Sequence, residues 1–181
     1  MAGLIGLQPE VGTTILGYQV LGSDVDLPEL AAKYSCAVVT VGQIKTPDTR
    51  IRLFDMLRRT GCSIPSIISP HAYVSPHASI GDGSIVLHGA VVNAGSVVGV
   101  NCILNSQSLV EHDAVIGDHC HIATGAVVNS SVHIGAGTFL GSGSTVRQCL
   151  QIGERCVIGM CQRILGDCPA GTRLPPHKAH A

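Results

Sequence analysis

The chain has 181 residues, enough for one sizeable core or two small ones, and carries 11 Lys and Arg against 12 Asp and Glu. A formal charge of −1 provides no global field toward nucleic acid or an anionic membrane surface. Hydrophobic residues make up 45%, charged residues 13% and aromatics 3%, with 22 Gly, a composition too apolar for disorder and unusually poor in aromatics for a globular domain.

In chain order, the N-terminus (MAGLIGLQPE) lacks a basic segment and reaches Gln8 and Pro9 too early for a secretory signal. Residues 26–34 (DLPELAAKY) read as a short helix and residues 37–41 (AVVTV) as a buried strand. Residues 47–60 read as an amphipathic helix, with Ile51, Phe54 and Leu57 on its apolar face and Arg52 and Arg59 on the other side. A turn at Gly61 and a strand over residues 64–68 follow, so the first sixty residues alternate strand and helix in the manner of an α/β unit. Residues 83–110 contain no charged side chain, but Gly and Asn interrupt them every few residues, which excludes a transmembrane helix.

From Ile68 a six-residue period takes over. Stepping by six gives Val74, Ile80, Val86, Val92, Val98, Leu104, Val110, Ile116, Ile122, Val128, Ile134, Leu140, Val146, Ile152, Ile158 and Ile164, without insertion or exception. With 51 Ile, Leu and Val in the chain, such a run has a chance probability on the order of 10⁻⁹. Two positions earlier a small residue recurs, among them Ala72, Ser84, Ala90, Cys102, Ala114, Cys120 and Thr138. The period fits short strands joined by turns, three strands to a triangular coil of 18 residues, with the aliphatic and the small residue both inward. Eight Cys without a Cys-x-x-Cys pair or an export signal read as reduced thiols of a cytoplasmic protein. Cys102, Cys120, Cys156 and Cys168, separated by multiples of six, are expected as buried small residues of the coils.

Residues 67–168 resemble the hexapeptide-repeat acyltransferases, which implies a mainly β fold, a left-handed parallel β-helix, and assembly as a homotrimer. The segments VGTTILGYQVL, DLPEL, Val41-Gly42 and ISPHAYVSP are similar to one subgroup, the amino-sugar N-acetyltransferases and sialic acid O-acetyltransferases. The domain reading is therefore residues 1–62 as a partial α/β nucleotide-sugar-binding-like domain, 63–168 as the β-helix and 169–181 as a tail. Relatives open with a Gly-rich turn for the nucleotide phosphates, absent here. Residues 2–7 would match their second strand, so the domain is shortened or the acceptor is held differently.

The chemistry-bearing residues cluster. Between residues 60 and 146 there is no Lys or Arg, and three of the four acidic residues, Glu111, Asp113 and Asp118, surround His112. The period places Glu111 outward on a strand and His112 and Asp113 at the next corner. A carboxylate beside His fixes one tautomer and makes the other nitrogen a better base, although a solvated acidic corner would read the same way. The resemblance of NSQSLVEHDAVIGDHCH to the family's active-site segment implies His112 as general base, assisted by Asp113 and with Glu111 beside it. It also implies Asn105 and Gly42 near the acceptor, and His121, Ser142 and Met160 on acetyl-CoA. Nine residues separate His112 from His121, one prism face or roughly 15 Å, so the two can share a site only across a subunit interface. Arg147, Arg155, Arg163, Arg173 and Lys178 are either cations for the CoA phosphates or a solvated end; Arg155 and Arg173, 18 apart, would stack. A zinc enzyme of the hexapeptide carbonic anhydrase type needs two His five residues apart, a spacing absent here, so no metal is expected.

These observations predict an acetyl-CoA-dependent acetyltransferase, with no nucleic acid or membrane partner, that acetylates an amino group of a nucleotide-linked sugar. The competing readings are O-acetylation of sialic acid and a non-catalytic β-helix scaffold.

Overall fold

The computed structural model describes residues 1–175. They form two compact units interleaved in sequence, residues 1–37 with 55–64, and residues 38–54 with residue 65 onward. The segment before the coils therefore divides, and its 38–54 portion travels with the β-helix.

In the first unit, β1 (Leu4–Ile5), β2 (Thr14–Ile15) and β3 (Tyr18–Gly22) make a sheet in the order β1-β3-β2. β1 falls within the expected strand and runs parallel to β3, while β2 and β3 form an antiparallel hairpin. Its two loop residues, Leu16 and Gly17, both have positive φ, the conformation that matches a two-residue turn to the strand twist. α1 (Leu27–Lys33) is the short helix expected, entered through a 3₁₀ turn in which the Ser23 N–H donates to the Asp26 carboxylate at 2.8 Å. α2 (Asp48–Thr60) falls within the second expected helix and buries Phe54 and Leu57.

The strand expected over residues 37–41 does not form. Beyond an isolated parallel bridge between Cys36 and Ser63, the segment is irregular. Val39 is still buried, but the Val39 and Val41 carbonyls accept from the Arg50 guanidinium at 2.7 and 2.9 Å instead of from a neighbouring strand. Arg50 itself, which the helical pattern left unremarked, is fully buried.

The coils are parallel two-residue strands from Ile67–Ile68 to Arg173–Leu174, stacked into sheets of seven, six and five strands. Through Arg163–Ile164 the second residue of every strand is the hexad aliphatic. Register follows the 18-residue arithmetic: Val92, Val110, Val128 and Val146 form one buried column, and Leu104, Ile122, Leu140 and Ile158 another. The small residues do more than fit the narrow interior. Hydroxyls of Ser84, Ser96, Thr138 and Ser144 donate to carbonyls fifteen residues on at 2.7–2.8 Å, and the Cys102 and Cys120 thiols make the same bond at 3.1 and 3.2 Å. The four Cys of this phase are buried, all eight are free, and Cys36, Cys149 and Cys161 are exposed.

After Ile164 the frame slips by two. Arg173 pairs with Val157 and Cys168 bridges Ile152, so Arg173 does not stack on Arg155 as the 18-residue spacing predicts. The cause is local. The Asp167 carboxylate accepts the Gln151 N–H at 2.8 Å in place of a strand carbonyl, which shortens the coil. Lys178 and the end of the tail lie outside the described residues.

Candidate active site

Each coil has three corners. The first leads from the seven- to the six-stranded sheet, the second from the six- to the five-stranded, and the third from the five- back to the seven-stranded. Every expected site residue of the β-helix falls at a corner or beside one.

His112 and Asp113 form the second corner, directly after strand Leu109–Val110. The His112 Nδ1–H donates to Asp113 Oδ2 at 2.8 Å, with the two side chains 58% and 65% exposed. Asp113 has φ of 59°, a left-handed conformation that Asp and Asn tolerate better than most residues. That backbone position turns its carboxylate onto the neighbouring ring. Glu111 does not reach the ring. Its carboxylate accepts from Asn93 Nδ2 at 2.9 Å and from the His112 backbone N–H at 3.4 Å.

Asn105, Ser142 and Met160 all lie at the first corner. Ser106, Thr124, Ser142 and Met160 stack coil upon coil, as the bonds from Gly125 N to Ser106 O, Gly143 N to Thr124 O and Cys161 N to Ser142 O record. Beside them runs Asn105, Ala123, Gly141 and Gly159, side chains that shrink to nothing up the corner. At Gly141 a Cβ would lie 2.5 Å from the Gly159 backbone, so the glycine is required there. Arg163 opens the strand that leaves this corner, and Arg173 pairs with Val157 on the strand that enters it; both are exposed. The other two cations considered for phosphate go elsewhere. Arg147 lies at the second corner, and Arg155, at the third, pairs with Asp48 at 2.8 Å.

His121 opens strand His121–Ile122 on the seven-stranded sheet, and it is buried. Its Nδ1–H donates to the Gln43 carbonyl at 2.7 Å, its Nε2 faces Asn105 Nδ2 at 3.3 Å, and its ring meets the Phe139 ring edge-on. Burial pushes its pKa below the ordinary 6.5, against the Gln43 carbonyl and with the help of the Arg50 charge. Hexad arithmetic placed His121 on this strand but could not show what covers it. The cover is the strap 39–50, tied along the third corner: Gln43 Nε2 donates to the His119 carbonyl at 2.6 Å, and Arg50 bonds the Asn101 carbonyl at 3.0 Å. Gly42 is exposed, and a Cβ there would meet nothing within 4 Å, so packing does not demand its glycine.

The structure thus pairs His112 with Asp113 at one corner and Asn105 with His121 at another, with the six-stranded face between them. The outward column of that face is Tyr73, Val91, Leu109, Val127, Thr145 and Arg163. Three other histidines are engaged locally: His88 Nδ1 lies 2.5 Å from Ser69 Oγ, His71 packs edge-on against His88, and His133 meets Gln151. Among the described residues no group of three or more His, Cys, Asp or Glu could hold a metal ion, and no helix is long and apolar enough to cross a membrane.

No protein-family model and no curated protein matches the chain. Solved structures do. A single-residue variant of perosamine N-acetyltransferase from Caulobacter crescentus, in complex with CoA and GDP-perosamine, is 30% identical over 88% of this chain and 75% of that one, with a TM-score of 0.85. The acetyltransferase domain of PglB from Neisseria gonorrhoeae, in complex with acetyl coenzyme A, is 29% identical over 98% and 85%, with a TM-score of 0.88. WeeI from Acinetobacter baumannii is 26% identical over 96% and 82%, with a TM-score of 0.85. The likeness carries the fold that the family resemblance implies, a left-handed parallel β-helix.

Proposed function

The chain belongs to the hexapeptide-repeat nucleotide-sugar acetyltransferases, and from that premise we propose that it moves the acetyl group of acetyl-CoA onto an amino group of a nucleotide-linked sugar, with His112 as general base. The observation that carries this reading is the bond from His112 Nδ1–H to Asp113, which leaves Nε2 of an exposed ring free to accept a proton. The sugar amine attacks the acetyl carbonyl directly. His112 Nε2 takes the proton that the nitrogen sheds, the carbon–sulfur bond breaks, and CoA leaves as the thiolate, which is then protonated. The product is an amide, and no acetyl-enzyme forms.

Acetyl-CoA runs along the first corner in this reading. Asn105 and His121 stand at its reacting end, Ser142 and Met160 beside its arm, and Arg163 and Arg173 offer charge to its phosphates. The shrinking column from Asn105 to Gly159 supports a path there, since side chains dwindle along that side of the corner. Gly42 and Asn105 face the acceptor, and Glu111 acts by holding the His112 backbone.

One face of the prism separates the first corner from the second, so a complete site takes one corner from each of two chains. A trimer with the six-stranded faces toward the threefold axis brings the first corner of each subunit against the second corner of its neighbour. The apolar run Val91, Leu109 and Val127 on that face supports this packing. The test is a screen of nucleotide amino-sugars and sialic acids with acetyl-CoA, following released thiol. Thiol release with a nucleotide amino-sugar and a base-stable amide product is expected. Release with sialic acids alone would overturn the acceptor class, and release with neither would overturn the reading.

A further inference from the structure

Arg50 heads the fully buried side chains by volume, and acetyl transfer as proposed makes no use of it. Its guanidinium donates to four main-chain carbonyls, Val39 at 2.7 Å, Val41 at 2.9 Å, Asn101 at 3.0 Å and Gly83 at 3.5 Å. None of these acceptors carries a charge. Burial lowers its pKa to about 10, which still leaves it cationic at neutral pH. A buried cation held by dipoles alone is an expensive element, and its geometry shows what it accomplishes. Two of the carbonyls belong to the strap, which has no strand ladder to hold it, and two belong to successive coils at the third corner. Arg50 bridges the two pieces at this point. Two residues beyond Val41, Gln43 is clamped across Cys120, its amide on the His119 carbonyl and its own carbonyl on His121 Nδ1. Gln43 Oε1 is buried without a partner, so the side chain is not seated there for its own satisfaction.

We infer that Arg50 is a positioning residue: through the strap it holds the Gln43 carbonyl against His121, fixing the Nδ1–H tautomer and leaving the Nε2 lone pair at the first corner beside Asn105. The geometry stands by itself, and its consequence for acetyl-CoA rests on the function proposed above. Lysine cannot substitute, because a single ammonium does not reach Val39, Val41 and Asn101 together in the plane that the guanidinium spans.

The test is ¹⁵N NMR of the imidazole nitrogens in the full chain, with the His121 signals assigned by their loss in His121→Gln, together with calorimetric binding of CoA. Wild type should show a single Nδ1–H tautomer at His121. Arg50→Met should mix the tautomers and weaken CoA binding about tenfold, the scale of one loosened anchor, and Arg50→Lys should not restore either. Should Arg50→Met fail to fold, Gln43→Ala, which releases the strap from His119, is expected to shift both readouts in the same direction. A pure Nδ1–H tautomer with unchanged CoA affinity in the folded variant, or an Nε2–H tautomer in wild type, overturns the inference. Neither readout contains an acceptor, so an error in the proposed substrate class leaves this test standing.

Discussion

His112→Ala and Asp113→Asn separate the base from its partner. The His112 ring lies at a corner, outside every aliphatic column, and it bonds Asp113. Removing it opens no cavity and breaks an exposed pair worth about 0–1 kcal/mol, so the thermal midpoint should stay within a few degrees. The rate should fall about 10²–10⁴-fold, or roughly 2.7–5.4 kcal/mol of transition-state stabilisation. Asp113→Asn is a milder perturbation for a reason visible in the backbone. Asn tolerates a φ of 59° as Asp does, and its carbonyl oxygen can still accept the Nδ1–H, so geometry and tautomer survive while the charge is lost. In an exposed pair that charge is worth up to about 1 kcal/mol, so kcat/KM should drop by no more than about fivefold. Both variants are measured by thiol release at saturating acetyl-CoA. Wild-type turnover by His112→Ala would refute the assignment of the base. A loss in Asp113→Asn as deep as that in His112→Ala would refute the account of Asp113 as a screened partner.

Gly117→Ala should lower the thermal midpoint markedly, because its Cβ would lie 2.8 Å from the Ala136 backbone nitrogen of the next coil, and a midpoint matching wild type would show that the coils can part. Stability should depend on pH through His121. Its pKa is depressed in the fold, so the unfolded chain binds the proton first, and the contribution is full above about pH 6.5 and lost as pH falls below it. Denaturant melts from pH 7.5 to 5 should therefore slope less in His121→Gln than in wild type, and parallel slopes would count against the buried neutral ring. Mixing His112→Ala with His121→Ala subunits should restore activity if the proposed trimer forms, since about a quarter of the interfaces in random trimers would pair both intact residues. Exchange proven by mass without any regained turnover would place both histidines' functions in one chain.

The coils were legible because their constraint is periodic. Packing of two-residue strands fixes a residue's column by its position modulo eighteen, so Val92 over Val110 and Leu104 over Ile122 follow from counting. The same counting fails where a side chain replaces a main-chain bond. Asp167 stands in for a strand carbonyl, two residues drop out, and Arg173 lands on Val157. The strand expected at residues 37–41 failed for a related reason: five apolar or β-branched residues look the same whether their carbonyls meet a neighbouring strand or a guanidinium.

The site divides along the same line. His112, Asp113, Asn105, Ser142 and Met160 are in frame, so counting by six assigns each to a corner. What surrounds His121 could not, because Gln43 and Arg50 belong to a segment with no period and reach residues 76 to 78 and 51 positions away. Composition hid Arg50 as well. On a helix with Arg52, Arg58 and Arg59, one more arginine reads as part of a solvated face, although Arg50, Phe54 and Leu57 stand at i, i+4 and i+7 and so share the buried face. The distinguishing feature is what it meets: carbonyls left over by an irregular strap, a demand that exists only after the strap has docked. A periodic fold can thus place its candidate corner by arithmetic, while the group proposed to orient the second histidine comes from outside the repeat, where counting by eighteen does not reach.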